Sequence, residues 1–173
     1  MPSGRTHDLF NVGMLLVLAI GVALYSFLAD NMDEDVLENC LFLFLGAYFF
    51  STFLLSPDLD LKKNRSKLNW GFLRWIWWPY SKTFKHRGLS HSLIWGIPTR
   101  LIFIYLIYFS GLMVFYVLGD YYFEEMPFWF VDADNFEVEY VAALLLGVYL
   151  PSITHSLLDV MVTHEKKAKR QKK

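Results

Sequence analysis

A chain of 173 residues with 55% apolar and 18% aromatic residues and a mean hydropathy of +0.32 is too apolar for a soluble protein of its size, and reads as a membrane protein. Its one cysteine, Cys40, excludes an intrachain disulfide and a thiolate zinc site, so any metal must be held by nitrogen and oxygen. The net charge of −1 hides a segregation of charge along the chain and by itself says nothing about partners.

Met1 to Phe10 is short and holds Arg5 and the pair His7-Asp8. The apolar run from Asn11 to Ala29 is long enough to cross the hydrocarbon at about 1.5 Å per residue. A cleavable signal peptide is the rival for a short basic start followed by an apolar run, but this run is longer than a signal core and no clear small-x-small site precedes Asp30. Asp30 to Asn39 is acidic without Lys or Arg, and a second apolar run, Cys40 to Leu55, extends back to Val36. It ends in Ser56-Pro57-Asp58-Leu59-Asp60, where Pro57 stops the helix and leaves two carboxylates just outside the bilayer.

The connection that follows is basic and aromatic, with Lys62, Lys63, Arg65, Lys67, Arg74, Lys82 and Lys85 interleaved with Trp70, Trp75, Trp77, Trp78 and Tyr80. Such a mixture suits the headgroups of an anionic leaflet, so an amphipathic, Trp-rich segment lying on the membrane is predicted. RNA binding is the rival for a basic-aromatic stretch, and the flanking spans, which hold it at the bilayer, argue against nucleic acid. The third apolar segment, Leu89 to Gly119, starts with His91, Pro98 and Arg100; a span of about Leu101 to Leu118 would project His91 from the membrane and leave Arg100 at the interface. Asp120 to Glu139 is again acidic. The fourth span, Tyr140 to about Val162, contains Pro151 and His155, and the tail is strongly basic.

These elements predict an all-α, four-helix integral membrane bundle: one domain over residues 1–165, then a basic cytoplasmic tail at 166–173. Every Lys and Arg falls at the N-terminal end, in the Asp58 to Arg100 connection or in the C-terminal tail. The positive-inside rule therefore places both termini and the middle connection on the cytoplasmic side of the cell membrane.

That topology carries His7-Asp8, Asp58 and Asp60, His86 and His91, and His155 and Asp159 to one membrane face. The segment Lys85-His86-Arg87-Gly88-Leu89-Ser90-His91 looks like part of a metal site, since glycine lets the backbone fold back and aim both imidazoles at one ion. His155 and Asp159 are four apart and share a helix face. Asp58 and Asp60, two apart, share a side if the segment is extended. Taken singly, each has an ordinary reading as a cap, a solvated histidine or a hydrogen-bonded pair. Together, four sequence-distant segments deliver ionisable groups to one layer, where such groups are costly unless paired or functional.

Ser56-Pro57-Asp58-Leu59-Asp60, Trp77-Trp78-Pro79-Tyr80, His86-Arg87-Gly88-Leu89-Ser90-His91 and Thr154-His155-Ser156-Leu157-Leu158-Asp159 resemble, over His7 to Asp159, bacterial metal-binding membrane proteins related to the membrane-bound, metal-dependent hydrolase-like family. Those families resemble, more distantly, the zinc-dependent phospholipase C and fungal single-strand nuclease group. The resemblance implies a metal site at His7, Asp58, Asp60, His86, His91, His155 and Asp159. Ligation by His and Asp suits zinc, manganese or iron, and seven ligands exceed the four of one tetrahedral ion, which suggests two ions.

Two classes of function follow. The first is metal-dependent hydrolysis of a phosphorylated lipid or small phosphoester at the cytoplasmic surface, with Asp8 or Asp60 as candidate general base and Arg87 and Arg100 as candidate phosphate holders. For both arginines the rival role is headgroup contact. The second class is a non-catalytic metal-binding subunit or scaffold. Ion transport is disfavoured, because no acid or histidine lies in the middle of a span.

Overall fold

The computed structural model of the chain describes residues 3–28, 34–62, 64–84, 88–119 and 138–171. These form six helices: α1 (Gly4–Leu28), α2 (Glu34–Phe53), α3 (Arg65–Asn69), α4 (Trp77–Thr83), α5 (Gly96–Gly119) and α6 (Val138–Gln171). Short 3-10 turns cover Pro57–Asp60, Gly71–Ile76 and Leu89–His91, and no strand occurs among the described residues. Helices α1, α2, α5 and α6 are long and apolar enough to cross a membrane.

Two of the long helices run beyond their apolar stretches. Ser3 Oγ accepts the Thr6 amide at 3.3 Å, an N-cap that starts α1 before the apolar run begins. His7 and Asp8 therefore stand on the helix itself rather than on a leading tail. At the other end, α6 continues through most of the basic tail; Lys169 pairs with Glu165 one turn back, and cations favour the negative pole of a helix dipole.

The tightest pairing is between α2 and α6. A Cβ on Gly147 would lie 2.6 Å from the Phe44 carbonyl oxygen and 2.7 Å from Ala47 Cβ, so glycine alone permits this approach. Ser51 Oγ donates to the Val148 carbonyl at 2.7 Å. Asn11 ties in α1: its amide donates to the Pro151 carbonyl at 3.3 Å, its Oδ1 accepts from Thr154 Oγ1 at 2.6 Å, and its own carbonyl accepts from Tyr48 OH at 2.8 Å. Polar side chains from neighbouring helices thus serve the backbone around the interior Pro151.

The four long helices are not packed equally. Ile97 and Arg100, in the first turns of α5, are buried, but none of residues 101–118 is. The packed bundle is α1, α2 and α6, and α5 leans on it through its N-terminal end. A helix clad almost wholly in large apolar side chains offers few small residues for close helix contact.

The aromatic connection folds into a cap rather than a single amphipathic strip. Trp77 and Tyr80 are buried with Leu55 and Leu59, flanked by Trp70, Phe84, Phe103 and Ile104. Trp75 and Trp78 remain outside, 68% and 55% exposed. The cap also satisfies carbonyls at and just past the end of α2: Asn69 Nδ2 donates to Phe53 at 2.9 Å, Trp70 Nε1 to Leu54 at 2.9 Å, and Arg100 to Leu55. Arg100 further donates through Nε to the Gly96 carbonyl at 2.7 Å and through its guanidinium to Ser152 Oγ at 3.3 Å. It is 1% exposed. This corrects the interfacial, phosphate-holding Arg100 of the sequence reading: the side chain is a structural tie between α5, the end of α2 and α6.

Candidate metal centre

One end of the bundle collects side chains from four separate segments. His7 comes from the first turns of α1, Asp58 and Asp60 from the Pro57–Asp60 turn, His91 from the end of the Leu89–His91 turn, and His155 and Asp159 from successive turns of α6. His91 is on its own turn and not on the helix that follows. Nor are Asp58 and Asp60 extended. Pro57 presets the helical φ and Ser56 Oγ accepts the Asp58 amide at 3.4 Å, so the segment winds into a 3-10 turn. Both carboxylates nevertheless reach His91.

His91 Nε2 lies 3.8 Å from Asp58 Oδ1 and 3.7 Å from Asp60 Oδ2. Asp58 Oδ1 is also 3.6 Å from His155 Nε2, while His7 Nε2 is 3.5 Å from Asp159 Oδ1. The His7 and His155 rings are stacked, with centroids 3.7 Å apart and planes 13° from parallel. His7, His155 and Asp159 can each offer one ligand atom with all three atoms within 4.8 Å of one another.

These separations bear on whether the set suits a metal. They are longer than the roughly 2.7–3.2 Å of a hydrogen bond, and close to the separation of about 3.3 Å between two donors that each sit about 2.0 Å from one tetrahedral ion. Moreover His155 Nε2 and Asp159 Oδ1 are buried without a hydrogen-bond partner among the described residues. A buried imidazole nitrogen and a buried carboxylate oxygen left so are costly in isolation and are satisfied by a cation between them. The residues present fit a divalent metal.

A family of proteins described as "Uncharacterized metal-binding protein (DUF2227)" has a sequence profile that matches residues 2–169. The chain belongs to this metal-binding family. The family's description names metal binding and no reaction. A relative from Aquifex aeolicus (strain VF5), itself described as "Uncharacterized protein", is 37% identical over 57 residues, 33% of this chain and 40% of that protein. The chain thus spans about 40% of the length of the curated relative it matches. No solved structure matches.

In this member of the metal-binding family, six of the seven residues expected as ligands lie together: His7, Asp58, Asp60, His91, His155 and Asp159. His86, the seventh, and Arg87, the expected phosphate holder, lie outside the described residues. Asp8 faces away from the ligand role into an ion pair, with Arg65 Nε 3.0 Å from its Oδ2. Asp60 is buried and accepts a hydrogen bond from Ser90 Oγ at 2.6 Å.

Sequence reasoning missed Ser90, Arg65 and Asn11. Ser90 precedes a candidate ligand and Arg65 faces a neighbour of one, but proximity in sequence does not distinguish a supporting side chain from a solvated one. Asn11 stands one turn after His7, and that spacing was the available signal. A cleft of about 270 Å³ opens beside the cluster, lined by His91, Ser156, Asp159, Thr163 and His164 among others. Outside the four long apolar helices, Lys67 on α3 is buried, which lowers its ammonium pKa from the ordinary value, an effect the Asp60 carboxylate partly offsets.

Proposed function

We propose that this chain is an integral membrane metal-binding protein whose centre hydrolyses a phosphoester at the cytoplasmic surface of the cell membrane. The observation that carries the catalytic reading is the cleft beside His91 and Asp159, which gives a substrate access to the ligand cluster. A purely structural ion would be enclosed by its ligands. When bound, a divalent ion such as zinc, manganese or iron supplies Lewis acidity toward a phosphoryl oxygen and acidifies a water toward neutrality.

His7, His155 and Asp159 form one set of candidate ligands, and Asp58, Asp60 and His91 lie beside it. Six candidate ligands exceed the four that one tetrahedral ion takes, which supports two ions. Ser90 fixes the orientation of Asp60, whose Oδ2 lies 3.7 Å from His91 Nε2 and is the oxygen we assign to the centre. Asp8, neutralised by Arg65, is the weaker candidate for the base.

The membrane setting supports a substrate from the headgroup layer. The four apolar helices and the segregation of Lys and Arg support a cell-membrane protein with both termini cytoplasmic, in contact with anionic headgroups and not with nucleic acid. A scaffold role is favoured by one feature, that the same ligands come from α1, α6 and two separate turns, which an ion would staple together.

The test uses the full chain in detergent, loaded with zinc, manganese or iron. Single changes His91→Ala, His155→Ala and Asp159→Ala should each reduce bound metal measured by elemental analysis. Wild-type protein should release phosphate or a phosphorylated headgroup from phospholipid, or cleave a generic phosphodiester or monoester, in a chelator-sensitive reaction that Asp60→Asn depresses at least ten-fold. Bound metal without chelator-sensitive turnover on all of these substrates would leave the scaffold reading standing.

A further inference from the structure

A second cavity, of about 720 Å³, is lined by residues of the aromatic connection and shares no lining residue with the cleft at the metal centre. Its cations are Lys62, Lys67, Arg74 and Lys82, and none of the described residues lining it is acidic. Its other wall is indole: the Arg74 guanidinium lies 5.3 Å from the Trp75 ring centroid, and Lys82 Nζ lies 3.8 Å from that of Trp78. Phe72, on the same 3-10 turn as Trp75, is 85% exposed, so the apolar surface continues outward from the cavity.

Lys67 is the informative member. It is 7% exposed, and the Asp60 carboxylate is the acidic group that acts on its ammonium. The side chain is held there because Asn64 Oδ1 caps α3 by accepting the Lys67 amide at 2.6 Å. A cation held at so small an exposure is costly unless its charge is balanced, and an anion in the cavity would add to the balance that Asp60 begins. An anion alone would need the lysines and arginine but not the indoles. Exposed tryptophans beside cations are the composition of a surface that meets headgroup phosphate at one level and acyl chain at the next.

We propose that this cavity binds one anionic phospholipid, with its phosphate among Lys62, Lys67, Arg74 and Lys82 and its acyl chains along Trp75 and Trp78. The site is distinct from the metal centre and does not depend on catalysis there. The lipid would anchor the cap to the leaflet and place a phosphate beside Lys67 in addition to the Asp60 carboxylate.

Native mass spectrometry of the full chain, released from detergent in the presence of equal phosphatidylglycerol and phosphatidylcholine, tests this. Phosphatidylglycerol should be retained preferentially. Each cation near an anionic headgroup is worth about five-fold in affinity, so Lys67→Gln should lower retention by roughly that factor, and Arg74→Gln with Lys82→Gln by more. The double variant changes only exposed side chains, so it keeps the test decisive where Lys67→Gln fails to fold. Equal retention of the two lipids, or unchanged retention in the folded double variant, overturns the assignment. So does displacement of phosphatidylglycerol by millimolar inorganic phosphate, which would make the occupant a soluble anion.

Discussion

Ser90 illustrates how a centre of ionisable groups depends on neutral ones. Its hydroxyl holds a buried Asp60 oxygen at 2.6 Å, so the carboxylate meets His91 in one orientation. Losing such an outer partner lowers metal affinity about 10- to 100-fold. Ser90→Ala should therefore weaken binding by that factor in competition with a chromophoric chelator, with the helical circular dichroism intact. Affinity should also rise with pH through the imidazole range, because each ligating histidine must give up its proton. The six gathered ligands were legible in the sequence because histidine and aspartate are rare beside apolar segments. Ser90, Asn11 and Thr154 were not, since the same residue types serve as caps and backbone-bonded helix residues throughout membrane proteins.

At the level of elements, hydropathy located all four long helices but misplaced their ends, and the ends are where the chemistry sits. A cap at Ser3 moved His7 onto α1, and Pro57 wound the two aspartates into a turn. Neither effect has a hydropathic signature. Arg100 is the sharpest case: as a charged residue at a span boundary it read as interfacial, yet it is buried against the end of α2. Arg100→Met would strip donors from the Leu55 and Gly96 carbonyls and from Ser152. Each buried polar group left unsatisfied costs about 1–3 kcal/mol. A loss of about 2–5 kcal/mol is expected, read as a lower unfolding midpoint in detergent, while a substitution at a merely snorkelling arginine would change little.

For the whole molecule, the cap and the candidate metal ligands occupy one end of the bundle, so in the proposed membrane setting a single orientation would set the side on which both work. With Cys40→Ser as background, Ser81→Cys in α4 should react with a membrane-impermeant thiol reagent only when the cytoplasmic side is accessible. Reaction from the outer side of intact cells would invert the topology and remove the headgroup-facing substrate from the cytoplasmic leaflet. The pairing of His7 with Asp159 joins the first long helix to the last. During synthesis α1 emerges at the beginning and α6 at the end, with α2, the cap and α5 made between them. The nascent chain therefore carries its first candidate ligand, unmatched, until translation of α6 is well advanced. If the cluster is the family's metal site, uptake by the full set is a late event, and a chain interrupted before Thr154 would lack His155 and Asp159 and should not retain the ion however well its earlier helices have folded.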